Sequence, residues 1–181
     1  MAYPVIFIHG GGEGGYEADT KLADSLRKEL RDAYEVHNPQ IHFNDNLPDF
    51  GWLKQIGNQI SMINEEIILV GHSFGASMLL KYLSEHWIQK KINGLFLIAA
   101  PYWSGDEDWV QGLKLHVNFA EKLSKNVPIF FYHCRDDEEI PFATLTHYKQ
   151  KLPWATFREI TSGGHQLNND LTPIAKDIKS L

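Results

Sequence analysis

Cysteine is nearly absent from this sequence: Cys134 is the one thiol in 181 residues, so no internal disulfide can form. Long hydrophobic runs are absent too. No apolar stretch approaches the roughly 20 residues needed to cross a bilayer. The apolar run at residues 5–8 lacks the basic flank and the length of a signal-peptide core. These absences predict a cytoplasmic protein with no membrane association. Basic residues are outnumbered, 17 Lys and Arg against 23 Asp and Glu, and the net charge of −6 argues against a nucleic-acid partner. No histidine pair has the helical spacing of a zinc site. The chain also lacks an internal repeat, a low-complexity tract or an interdomain linker.

What is present is ordinary for a globular fold: 43% hydrophobic and 22% charged residues. The length suits one domain, residues 1–181, able to bury about two-thirds of its unfolded surface without metal or disulfide. Apolar runs at 5–8, 67–70, 95–99 and 128–132 read as fully buried strands, with weaker strands at 34–37 and 156–160. Between them, Ala18, Leu22, Leu26 and Leu30 share one helical face, as do Trp52, Ile56, Ile60 and Ile63. The segment after Gly71 is apolar nearly all round. Further helices are expected over 109–123, 142–152 and 173–181, and a loop over 38–49 with its two prolines and three asparagines. Strands alternating with helices predict an α/β fold, a three-layer sandwich around a six-stranded parallel sheet of order 2-1-3-4-5-6.

Gly71-His72-Ser73-Phe74-Gly75 matches G-x-S-x-G after an apolar run and before a helix. In that context a serine sits on a strained strand-to-helix turn, with free N–H groups of the helix start aimed at a developing oxyanion. His72 should point away and is read as structural. A serine hydroxyl attacks poorly until a histidine takes its proton and an acid orients that histidine, in the chain order Ser, acid, His. Asp136, Asp137, Glu138 and Glu139 follow a late strand; Asp137 is chosen because Asp137-Glu138-Glu139-Ile140-Pro141 fits D-x-x-(apolar)-P. Asp136 is the alternative, and the two glutamates are expected to be solvated. Gly163-Gly164-His165 follows the last strand and supplies the base. The remaining histidines, His133 among them, fall outside the required order.

His9-Gly10-Gly11-Gly12-Glu13-Gly14-Gly15 follows the first strand. It reads as the loop that donates an oxyanion N–H, from Gly11 with Gly12 as fallback, the second donor being the Phe74 N–H. A rival reading exists: Gly10, Gly12 and Gly15 satisfy the dinucleotide pattern G-x-G-x-x-G, with Glu35 as the ribose acid. That reading places Glu35 inside a strand and leaves the Ser73, Asp137 and His165 segments unexplained. The lysine of a phosphate-binding P-loop is missing. Cys134, at a strand end, reads as a small core residue.

Taken in order, these motifs make the chain resemble the α/β-hydrolase superfamily over essentially its whole length. More narrowly it is similar to the compact serine hydrolases grouped with retinoblastoma-binding protein 9. The shared features are small size, a start at the oxyanion-loop strand, Ala100-Pro101-Tyr102, Gly105-Asp106-Glu107 and the closing Gly163-Gly164-His165. The resemblance implies a triad of Ser73, Asp137 and His165 acting on small-molecule esters without a cofactor. His9 opens the loop where some relatives carry proline, and Phe74 follows the nucleophile; both bear on substrate preference. About thirty residues separate Ala99 from Pro128, too few for a large lid domain. Tyr102 and Trp103, with Trp109, Phe43, Phe50 and Trp52, are candidates to line an acyl pocket, though aromatics of this kind are more often core or rim packing. A binding protein with a vestigial triad is the alternative function.

Overall fold

The computed structural model describes residues 2–181. Six strands, β1 (Tyr3–Ile8), β2 (Tyr34–His37), β3 (Ile67–His72), β4 (Ile92–Ile98), β5 (Ile129–Cys134) and β6 (Thr156–Ile160), form one sheet. Its order is β2-β1-β3-β4-β5-β6, and every pair is parallel. Each strand therefore needs a crossover to reach its neighbour. The crossovers carry helices α1 (Gly15–Leu30), α2 (Trp52–Met62), α3 (Ser73–Glu85), α4 (Asp108–Gln111), α5 (Phe119–Lys122) and α6 (Thr144–Lys151), with α7 (Thr172–Ile178) after β6.

The period-two alternation of strand side chains divides the core into two layers. Ile6, Ile8, Ile67, Leu69, Leu95, Leu97, Ile129 and Phe131 face α2, α3, α5 and α6. Val5, Phe7, Ile68, Val70, Phe96, Ile98, Tyr132 and Cys134 face α1 and α7. Both faces are covered, which is why the central strands carry apolar residues at successive positions instead of alternating with polar ones. Helix α3 lies over the middle of the sheet and buries nine of its residues, including Lys81.

One expected helix is interrupted. Residues 109–123 form two short turns, α4 and α5, in place of one helix. The Lys114 carbonyl, which a continuous helix would use internally, instead accepts a hydrogen bond from buried Lys81 Nζ at 2.6 Å. Gly112 also lies so close to the 38–49 loop that a Cβ there would fall 1.8 Å from the Pro48 carbonyl oxygen. A buried ammonium and a backbone crossing break the helix at one place. The region between β4 and β5 therefore carries no large lid. No helix of the described residues is long and apolar enough to cross a membrane.

Candidate active site

All the residues singled out as chemical lie where parallel strands end, at the edge from which α/β folds present their ligands. Ser73 joins β3 directly to α3 and has φ +50°, a left-handed conformation in a non-glycine residue. Such strain costs on the order of 1–3 kcal/mol and has to be held by packing. The two flanking glycines supply that packing. A Cβ on Gly71 would fall 2.7 Å from Ala76 Cα, and one on Gly75 would fall 2.2 Å from the His9 carbonyl oxygen.

The Phe74 amide lies in the first turn of α3, where N–H groups have no intrahelical acceptor. The Gly11 amide makes no hydrogen bond among the described residues. Gly11 packs directly on Phe74, with the site of its missing Cβ 2.9 Å from Phe74 Cβ, so the two expected oxyanion donors belong to touching residues. Gly12 is exposed and has nothing within 4 Å of its Cβ position. His9 shapes this loop: its Nδ1–H donates to the Gly10 carbonyl (2.6 Å), and its Nε2 accepts from the Ile41 amide (2.9 Å). Burial holds the His9 imidazole below its ordinary range, in keeping with that neutral arrangement.

Of the two candidate acids, Asp137 is the one in contact with His165. Its Oδ1 and Oδ2 lie 3.1 and 3.0 Å from His165 Nδ1. Oδ1 also accepts the Glu139 and Ile140 amides at 2.9 and 2.8 Å, and Oδ2 lies 3.3 Å from His133 Nε2. Burial alone would raise this carboxyl, whose side chain is 0% exposed. The hydrogen bonds from His133, His165 and the Ile140 amide outweigh that penalty and hold it well below the usual carboxylate range. His133, set aside on chain order, thus supports the acid instead of replacing His165. Asp136 does something else: it accepts the Gly163 and Gly164 amides at 3.0 Å and holds the glycine turn.

The two glutamates are exposed but not idle, which corrects the expectation that both are merely solvated. Glu138 accepts the His165 amide at 2.9 Å, and Glu139 Oε2 lies 3.5 Å from His165 Nε2. Burial would lower the His165 imidazole. The Asp137 carboxylate, through its hydrogen bond and its charge, with Glu139 and Asp19 adding to it, leaves that imidazole raised instead. Among the described residues the Ser73 hydroxyl makes no hydrogen bond.

Near the site, Asp19 was not anticipated from sequence, whereas His72 was read as structural. Asp19, on α1 and 1% exposed, accepts the Gly10 amide at 2.6 Å, faces His72 Nδ1 at 2.7 Å and accepts from Gln166 Nε2 at 3.1 Å. His72 Nε2 in turn donates to the His165 carbonyl at 3.0 Å. Nothing along the chain flags Asp19, since it sits on a helix like many surface acids.

The aromatic candidates separate into two groups. Phe74 lies at the centre of one, with ring centroids of Trp52, Phe43, Trp103 and Phe50 at 4.8, 5.5, 5.9 and 6.3 Å, and Trp109 beyond Trp103 at 5.4 Å. Trp52 is fully buried core, whereas Phe43 (41%) and Trp109 (54%) are open to solvent near the Ser73 turn. Trp103 is anchored by its indole N–H on Ser77 Oγ at 3.1 Å. Tyr102 belongs elsewhere, stacked on His147 and packed edge-on to Tyr148. A groove of about 870 Å³ between Trp87, Lys91, Lys122 and Leu181 opens at the opposite, N-terminal ends of the strands.

The family described as "Serine hydrolase" matches residues 20–170. The chain belongs to that family. Its fold is that of the α/β-hydrolase superfamily, and it is an enzyme. The relative named "Putative hydrolase YdeN", of Bacillus subtilis (strain 168), is 24% identical over 165 residues, covering 87% of this chain and 80% of YdeN. The crystal structure of YdeN superposes with TM-score 0.70 at 20% identity, over 99% of this chain and 98% of that one. The thioesterase domain from the curacin biosynthetic pathway gives TM-score 0.72 at 19% identity, over 98% and 91%. Est1E from Butyrivibrio proteoclasticus, solved with ferulic acid bound, gives TM-score 0.70 at 15% identity, over 99% and 87%.

Proposed function

We propose that this serine hydrolase cleaves small carboxylic esters by acyl transfer through Ser73, His165 and Asp137, without a cofactor. The observation that carries the reading is a buried, fully hydrogen-bonded Asp137 carboxylate on His165 Nδ1, beside a serine held at φ +50° on a strand-to-helix turn. His165 Nε2 takes the Ser73 proton as Oγ bonds to the ester carbonyl carbon. The carbonyl oxygen becomes an oxyanion, received by the Gly11 and Phe74 amides. Collapse breaks the bond to the alkoxy group, which leaves as the alcohol with the proton from Nε2. Water, deprotonated by the same nitrogen, then releases the acid and restores Ser73.

The exposed ring faces of Phe43 and Trp109, contiguous with Phe74 and Trp103, favour an apolar or aromatic acyl group over a highly polar one. The ester bound most readily is therefore small and uncharged on its acyl side. Replacement of Ser73 with Ala is expected to remove hydrolysis of p-nitrophenyl esters by about 10³-fold or more and to abolish labelling by a fluorophosphonate. A series of acyl chains read against the wild type grades the acyl preference. Retained turnover in the alanine variant would place the chemistry elsewhere.

A further inference from the structure

We infer that Asp19 and His72 form a second, buried carboxylate–imidazolium pair whose task is to position His165 over Ser73. The inference rests on the proposed roles of Ser73 and His165, and it assigns positioning, not contact with substrate. Both ring nitrogens of His72 face acceptors: Nδ1 faces Asp19 Oδ2 at 2.7 Å and Nε2 faces the His165 carbonyl at 3.0 Å. Hydrogen bonds from His72, Gly10 and Gln166 outweigh burial and keep Asp19 ionised, so a neutral imidazole, with one N–H, would set a lone pair against one of those oxygens; both nitrogens therefore carry protons. Asp19 and His72 are each 1% exposed, and a buried charge of either sign is tolerated only when paired and hydrogen-bonded. Asp19 meets that condition with three donors, from Gly10, His72 and Gln166.

The pair sits where three segments of the site converge. Gly10 belongs to the oxyanion loop, His72 immediately precedes Ser73, and His165 and Gln166 belong to the loop after β6. The site of a Cβ on Gly10 is 3.4 Å from both Asp19 Oδ2 and Ser73 Cβ. The His72 and His165 rings lie 4.8 Å apart.

The loop after β6 needs such support. Gly163 and Gly164 have φ +150° and +62°, and Leu167, Asn168 and Asn169 follow at +48°, +50° and +56°. Three successive non-glycine residues in the left-handed region persist only where surrounding contacts over-determine them. Asp136 and Glu138 hold the loop from its solvent side through the amides of Gly163, Gly164 and His165. Asp19 and His72 hold it from the interior, through the carbonyl of His165 and the side chain of Gln166. The imidazole is thereby fixed at its backbone as well as at Nδ1.

Two readouts test this. In ¹⁵N-labelled wild-type protein at neutral pH, His72 is expected to show both ring nitrogens protonated, and D19N is expected to return it to a single N–H. A neutral His72 in the wild type overturns the inference whatever the activity does. A failure of the Ser73 chemistry is reported separately by S73A. In kinetics with p-nitrophenyl acetate, D19N and H72Q are expected to lower kcat by about ten- to a hundredfold, the scale of an imidazole displaced by an ångström. KM should stay within about threefold, because no contact with substrate is removed. Should H72Q fail to fold, D19N keeps an acceptor of the same shape for the Gly10 amide and carries the kinetic arm. A folded D19N enzyme with wild-type kcat overturns the inference.

Discussion

Replacing Asp137 with Asn separates the two tasks of that side chain, because its oxygens serve different partners. Oδ1 accepts the Glu139 and Ile140 amides, whereas Oδ2 is nearer His165 Nδ1 (3.0 Å) and His133 Nε2 (3.3 Å). The amide variant can leave its oxygen on the two main-chain N–H groups and preserve the turn. Its NH₂ group then points at His165, which accommodates it by accepting at Nδ1 and carrying its proton on Nε2. That is the nitrogen required to take the Ser73 proton. A tautomer error of this kind costs on the order of 10⁴ in kcat, as it does in serine proteases, or about 5 kcal/mol of transition-state stabilisation.

The stability cost is smaller, since charge-assisted contacts to two imidazoles are exchanged for neutral ones, roughly 1–3 kcal/mol. Steady-state hydrolysis of p-nitrophenyl acetate and urea unfolding on one preparation separate the two effects. Because Asp137 titrates below its ordinary value of 3.8 when folded, its contribution to stability is present above about pH 4 and is lost as pH falls further. The Asn variant should therefore lose less stability on acidification than the wild type. Asp136→Asn is the control: an amide oxygen can still accept from Gly163 and Gly164, and kcat should stay within about tenfold. Wild-type kcat in Asp137→Asn, or a 10⁴-fold loss in Asp136→Asn alone, would refute the reasoning.

His165 must be neutral to act as base, and its imidazole is raised above 6.5, so kcat/KM is expected to rise with pH through a limb above that value. Glu139→Gln should move this limb to lower pH, because it removes a carboxylate that lies 3.5 Å from Nε2 and helps hold the imidazole up; an unmoved limb would show that Glu139 is not felt at Nε2. Gly75→Ala places a methyl 2.2 Å from the His9 carbonyl oxygen and 2.6 Å from that of Ile8, both rigid backbone. A loss of about 3 kcal/mol or more in urea unfolding is expected, and unchanged stability would mean that β1 and α3 can separate freely.

Much of the fold was written along the chain. Buried parallel strands announce themselves as runs of Val, Ile, Leu and Phe, because both of their faces are covered, and β1, β3 and β4 each carry such a run. The helical spacing of Leu22, Leu26 and Leu30 reappears as the buried face of α1. Ser73 was legible because its turn needs particular neighbours on either side, and Asp137 because the turn after β5 uses the carboxylate to receive its own amides at Glu139 and Ile140. Local geometry of that sort leaves a local signature.

Contacts between distant segments leave none. Asp19 lies 53 residues from His72 and 147 from Gln166, and only the packing of α1 beside the ends of β1 and β3 turns an unremarkable helical acid into a buried anion. His133 seemed out of order until β5 delivered it behind Asp137. The helix expected over 109–123 is interrupted where Lys81 takes the Lys114 carbonyl across the layer. The sequence by itself determined the strands, most of the helices and the turn at Ser73, since propensity and hydrophobic period act between near neighbours. Tertiary structure decided which buried charges meet, because a charge withdrawn from water must take whatever partner the folded backbone brings within about 3 Å.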